Sequence, residues 1–300
     1  MTTALLAVVA LAAGCTSGGH RPATVVTVPI AGRPSALAVA GGLVWVADDQ
    51  GGVVVTVDAA KGRAVGAPIK VGPSPIALAA SSTTVWVGDA TGTLTRLDVA
   101  RREAVGQPIE VGGVVSGIAV DGSAVWVVDN EHGTLIRVDA ATGDVGPPAT
   151  FTSGAVRVAA DRGAVWVTNG ENTVTPVGGA PVTVGTGPIG LAVRNGVVWV
   201  TNSEDDTVSR IVSGPASGPV PATVVGKAPV AVVAGADGAW VVSQDVRQLT
   251  RLDPSTGKVA RTTSISTRPR GISLGSDRVW IAGVEPSAVI GVLRSALGGA

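Results

Sequence analysis

Tyrosine is absent from these 300 residues, and Met, Phe and Cys occur once each. A single Cys excludes an intramolecular disulfide and any site built on several thiolates. Two His, at positions 20 and 132, leave little imidazole for catalysis or metal ligation. An excess of either charge is lacking too. The 22 Lys+Arg balance 22 Asp+Glu without a like-charge run, which points away from nucleic acid and from anionic membrane surfaces. Past the N-terminus no apolar stretch approaches the roughly 18 residues that span a bilayer. Good helix formers other than Ala are sparse. Val, Ala and Thr abound instead, with 42 Gly and 19 Pro, a supply suited to strands and turns.

Seven Trp make up almost all the aromatic content, and they are periodic. They fall at 45, 86, 126, 166, 199, 240 and 280, spaced 41, 40, 40, 33, 41 and 40 residues apart. Each sits in an apolar stretch such as Leu43-Val44-Trp45-Val46 or Ala164-Val165-Trp166-Val167. Around each, a short strand follows a Gly/Pro turn, as in Pro188–Val193, and a tight turn leads into the Trp strand. A third strand such as Gly92–Asp98 precedes a turn like Asp139–Gly143 or Asp253–Gly257. In that turn Asp can accept from the backbone two residues on, and Gly supplies a left-handed dihedral.

The Trp strands are apolar on both faces, so both must be covered. Four-stranded blades packed between two neighbours meet that demand, and about 40 residues is the length of such a repeat. The chain therefore reads as all-β, a seven-bladed β-propeller with four-stranded antiparallel blades. After Trp280 only one more strand remains, Ala288–Leu293. Residues 23–30 (Ala-Thr-Val-Val-Thr-Val-Pro-Ile) look like a fourth strand without a repeat of its own, like Ala222–Val225. They are expected to complete the last blade and close the ring. The fourth repeat, with 33 residues to the next Trp and Pro176 in its third strand, is expected to be the softest around Trp166.

Trp166-Val167-Thr168-Asn169 and Trp199-Val200-Thr201-Asn202 resemble the YVTN-type bacterial β-propeller repeat, with Trp for Tyr. Trp45–Asp48, Trp86–Asp89 and Trp126–Asp129 carry the looser Trp-Val-x-Asp form, while the sixth and seventh repeats have Ser243 and Gly283 at that place. The resemblance covers residues 23–294 and implies a secreted or surface propeller. The N-terminus is similar to a bacterial lipoprotein signal: a ten-residue apolar region, Ala4–Ala13, ends at Gly14-Cys15. The expected organisation is a signal segment over 1–14, a flexible tether over 15–22 with Cys15 lipidated, and one propeller domain over 23–300. The expectation is a monomer secreted across the cytoplasmic membrane and held at the cell surface or envelope through its lipid alone.

Propeller sites lie in or over the central channel. On the face formed by the fourth-to-first and second-to-third loops, Arg33, Arg157, Arg268 and Arg270 could bind a carboxylate or phosphate by forked hydrogen bonds, or could be solvated loop cations. Asp48, Asp89, Asp129, Asn169 and Asn202 each stand three residues after a Trp, as ligand contacts or as turn initiators. Arg96, Arg137, Arg210 and Arg251 recur in the third strands and read as structural. His132, beside Asp129 and Glu131, could serve as a base or be a turn residue. Virginiamycin-type lyases are more distantly similar. Resemblance to them implies a His and metal-binding carboxylates facing the channel, and related calcium-dependent lactonases imply inward oxygen ligands. The innermost strands here, such as Ala36–Val39 and Gly271–Leu274, carry no carboxylate. The expected role is a binding or interaction scaffold for an envelope protein or a small anionic ligand, without cofactor or metal. A channel-sited lyase or lactonase is the alternative.

Overall fold

Strands buried on both faces need a neighbour on each side, and a closed ring of radial sheets provides it. The computed structural model describes residues 24–151, 154–212 and 221–298. The signal segment 1–14, Cys15 and the tether 15–22 lie outside the described residues, as does His20. Seven antiparallel sheets form the ring. Blades 1 to 7 begin with first strands Pro34–Ala40, Pro75–Ala80, Val115–Asp121, Ala155–Asp161, Pro188–Arg194, Pro229–Gly235 and Arg268–Leu274. Each first strand touches those of both neighbouring blades, so together they wall a central channel. Outward from it come the Trp strand, a third strand and an outer strand, which in blades 1 and 2 is broken into two short pieces.

Closure follows the sequence expectation. Val25–Pro29 is the outer strand of blade 7, pairing Val25 with Val292 and Pro29 with Ala288. At the other end of the chain, a short 3-10 turn over Arg294–Leu297 brings Arg294 to the Asp237 carboxylate of blade 6, at 2.6 Å.

The core lies in the seams between blades. Trp45 packs on Val85, Val87 and Leu97 of blade 2, and Trp280 on Val44, Val46 and Val57 of blade 1. Each indole thus reaches into the blade that follows its own. In the turn after the third strand, Asp253 Oδ1 accepts from the backbone N–H of Ser255 and Thr256, and Gly257 takes φ +73°. That turn lies over the previous blade: Arg210 donates to the Pro254 carbonyl at 2.9 Å and 3.2 Å, and sits 5.5 Å from the Trp199 ring centroid.

Blade 4 departs from the pattern. Its third strand stops at Pro176, and a tight turn in which Gly179 donates to the Pro176 carbonyl replaces the Asp-x-x-Thr-Gly turn. The exposure this leaves falls one blade back. Trp166 is buried, and Trp126 of blade 3 is the one indole left partly exposed, with Arg137 beside it in solvent. Blade 4 has no turn to lay over them.

Candidate functional site

The channel wall has a repeated irregularity. Near its start every first strand carries a bulge, a residue with no partner in the Trp strand: Ser35, Ile76, Ser116, Val156, Ile189, Val230 and Arg270. The residue after the bulge is Ala36, Ala77, Gly117, Gly190, Ala231 or Gly271 in six blades, and Arg157 in blade 4. Small residues suit this position because neighbouring strands come close. A Cβ on Gly190 would lie 3.0 Å from the Ala231 Cα, and one on Gly117 would lie 3.3 Å from the Arg157 Cα. Ser35 Oγ donates to the Pro75 carbonyl at 2.7 Å and Ser116 Oγ to the Val156 carbonyl at 2.9 Å, each linking a bulge to the next blade. The channel cavity measures about 190 Å³ and is open to solvent.

Of the four arginines expected in fourth-to-first loops, Arg33 alone is in one. Arg157, Arg268 and Arg270 stand inside first strands, because the strands begin before the bulge and carry these residues into the channel wall. Arg33, Arg268 and Arg270 line one cavity of about 460 Å³ at the channel mouth, beside Gln50, Gln244 and Glu285. Arg33 Nε bonds Asp49 Oδ1 at 2.6 Å, and that carboxylate holds the guanidinium pKa above its ordinary value. Arg268 donates to Gln244 Oε1 at 3.3 Å and lies 3.7 Å from Asp245. Arg157 is set deeper. Its Nη1 donates to the carbonyls of Ser116 (2.7 Å) and Val156 (3.1 Å), and burial lowers its pKa.

The five Asp and Asn sit at the same face but are buried and turned to the protein. Asp48 Oδ1 accepts from the backbone N–H of Arg33, Gln50 and Gly51 at 2.9–3.1 Å. Asp89 Oδ1 accepts from Thr91 and Thr93, and Asp129 Oδ1 from Val114, Glu131 and His132. Asn169 Nδ2 donates to Thr175 Oγ1, and Asn202 Nδ2 donates to Thr207 Oγ1 and Ser209 Oγ. The Thr of the two Trp-Val-Thr-Asn stretches also acts on the bulge: Thr168 Oγ1 accepts from the Arg157 N–H and Thr201 Oγ1 from the Gly190 N–H. Sequence reasoning missed that role, although Thr two residues past Trp in those two blades alone was the available signal.

His132 stands on the rim of blade 3 with its side chain 61% exposed, Nδ1 2.6 Å from Asp129 Oδ2. That hydrogen bond raises its pKa above the usual imidazole value. Among the described residues no three His, Cys, Asp or Glu side chains gather as a ligand set for a metal ion.

No family profile matches the sequence, and no curated relative does. Similarity lies in shape. Virginiamycin B lyase from Staphylococcus aureus is 16% identical, with a TM-score of 0.75 over 90% of this chain and 98% of that one. A streptogramin B lyase gives the same identity and score over 89% and 96%. Hydrazine synthase of Kuenenia stuttgartiensis is 14% identical, also at 0.75, over 92% and 98%. What the chain shares with such proteins is the architecture of a seven-bladed propeller.

Proposed function

We propose that this protein is a binding module of the YVTN-type repeat class that captures an anionic group at the mouth of its channel, between blades 7 and 1. The observation carrying this reading is the meeting of Arg33, Arg268 and Arg270 on one cavity. Guanidinium forks match carboxylate and phosphate oxygens, and two of the three already have side-chain partners that orient them. The ligand is an acidic segment of an envelope protein or a small anionic molecule. A labelled oligoglutamate peptide, followed by fluorescence anisotropy at low salt, tests it. The double variant Arg33→Ala/Arg268→Ala should weaken binding at least about 10-fold, given about 1.4 kcal/mol per decade and charge-assisted hydrogen bonds of about 1.5–3 kcal/mol. Equal affinity of variant and wild type would refute it.

The same reading places the propeller outside the cytoplasmic membrane, anchored through lipidated Cys15. Cys15→Ser should move the protein from the membrane pellet to the soluble fraction, and retention in the pellet would refute the anchor. One observation favours a second reading, a lyase or lactonase at this face. Glu285 borders the same cavity, and the similar structures include lyases, one of them solved as a catalytically inactive histidine-to-alanine variant with quinupristin. Ring opening of quinupristin or a simple lactone, seen by mass spectrometry and lost in Glu285→Gln, would support that reading over simple capture.

A further inference from the structure

We infer that the channel beneath the mouth holds an oxyanion subsite of its own, built on Arg157 with Arg270 as its second cation. This goes beyond the mouth reading and stands without it. Four observations carry it. The first is the break in symmetry: six of the seven positions after the bulge hold Ala or Gly, and at Gly117 and Gly190 the next blade's strand comes close enough to crowd a Cβ. Arg157 at the seventh serves no requirement of the repeat. The second is orientation. Two main-chain carbonyls grip Nη1, which fixes the plane of the guanidinium, while Nε and Nη2 have no protein acceptor among the described residues.

The third is missing compensation. Arg157 is half-buried, and a cation partly withdrawn from water without a counter-charge carries a cost that a bound anion relieves. Among the described residues no Asp or Glu lines the channel cavity, and the hydroxyls of Ser35 and Ser116 that border it donate to the next blade's carbonyls. The fourth is Arg270, which lies on both the channel cavity and the mouth cavity. As the bulged residue of its strand it is unpaired in the ladder, and its side chain is exposed. It therefore adds a second cation to the cavity that Arg157 lines. The cavity of about 190 Å³ accommodates a compact group. The class is a small oxyanion: a carboxylate, sulfate or phosphate, free or as the end of a slender molecule.

The test uses the propeller in a low-salt buffer free of carboxylates and phosphate. Sulfate and acetate are titrated separately by calorimetry, and thermal midpoints are recorded with and without each. Wild type should bind one of these ions saturably and gain thermal stability from it. Arg157→Ala, which places the repeat's own residue at that position, should lose at least about 10-fold in affinity, lose the ion-induced rise, and melt no lower than wild type without the ion. Arg270→Ala should weaken binding by less. Arg33→Ala/Arg268→Ala should bind the ion as wild type does even where it has lost the peptide, which separates this subsite from the mouth. Absence of saturable binding to wild type, undiminished binding by Arg157→Ala, or a lower ion-free melting point of that variant would overturn the proposal. The last outcome would make Arg157 a structural anchor. The ion bound more tightly distinguishes a carboxylate-like ligand from a sulfate- or phosphate-like one.

Discussion

The indole of Trp126 and the imidazole of His132, both in blade 3, report on their surroundings in opposite ways. Trp126 is partly exposed where the other six indoles are 8% exposed or less. Replacing a fully buried Trp such as Trp45 or Trp240 by Ala should cost about 3–5 kcal/mol. Trp126→Ala should cost clearly less, since part of its surface already faces water, and a urea series would rank the three. His132 keeps a pKa raised chiefly by its hydrogen bond to Asp129. The sign follows from the raised value. The protonated pair adds stability that is full below the unfolded pKa of about 6.5, and it is lost as pH climbs through the higher folded value. A ring titration followed by NMR should therefore show His132 with a midpoint above about 6.5, and Asp129→Asn should bring it down. An unchanged midpoint in that variant would remove Asp129 as the cause.

At the scale of the element, three of the four third-strand arginines are straps, and Arg137 is the exception. Arg96 reaches the Ala141 carbonyl and Arg210 the Pro254 carbonyl, each across one seam, while Arg251 reaches the Leu297 carbonyl in the C-terminal turn. Each also lies 5.5–5.9 Å from the Trp ring centroid of its own blade. Arg210→Ala should cost about 1.5–3 kcal/mol, as expected for hydrogen bonds made by a charged donor. Arg137→Ala should stay within about 0.5 kcal/mol, because the turn it would hold is missing from blade 4. Amide exchange should correspondingly be fastest at the seam between blades 3 and 4. The repeat, the turn chemistry and the strap residues were all legible in the sequence, since each follows from local spacing. The bulges were not, because they arise from strands converging on an axis. For that reason Arg157, Arg268 and Arg270 read as loop residues. The exposure of Trp126 was equally hidden: its cause lies about fifty residues further along the chain, in the shortened turn after Pro176.

The whole molecule is closed by a strand from its beginning laid on a strand from its end. Val28 and Ile30 join Val289, Ala282 and Trp280 in one cluster of core residues, so the N-terminal strand contributes packing as well as ladder hydrogen bonds. Deleting residues 23–31 should lower the thermal midpoint and promote association through the uncovered edge of Ala288–Leu293. Calorimetry and size-exclusion chromatography would check this, and unchanged behaviour would remove the strand from the sheet. Pairing between the two strands adds contacts of very long sequence separation, which can form only late in folding. The same pairing orders events in the cell. The strand that emerges first has no seat until the strand that emerges last is present, so a chain cut short anywhere in blade 7 is left with an orphaned beginning. A complete ring is in this sense a proofread one: Ala288–Leu293 must have been made and folded before Val25–Pro29 is held.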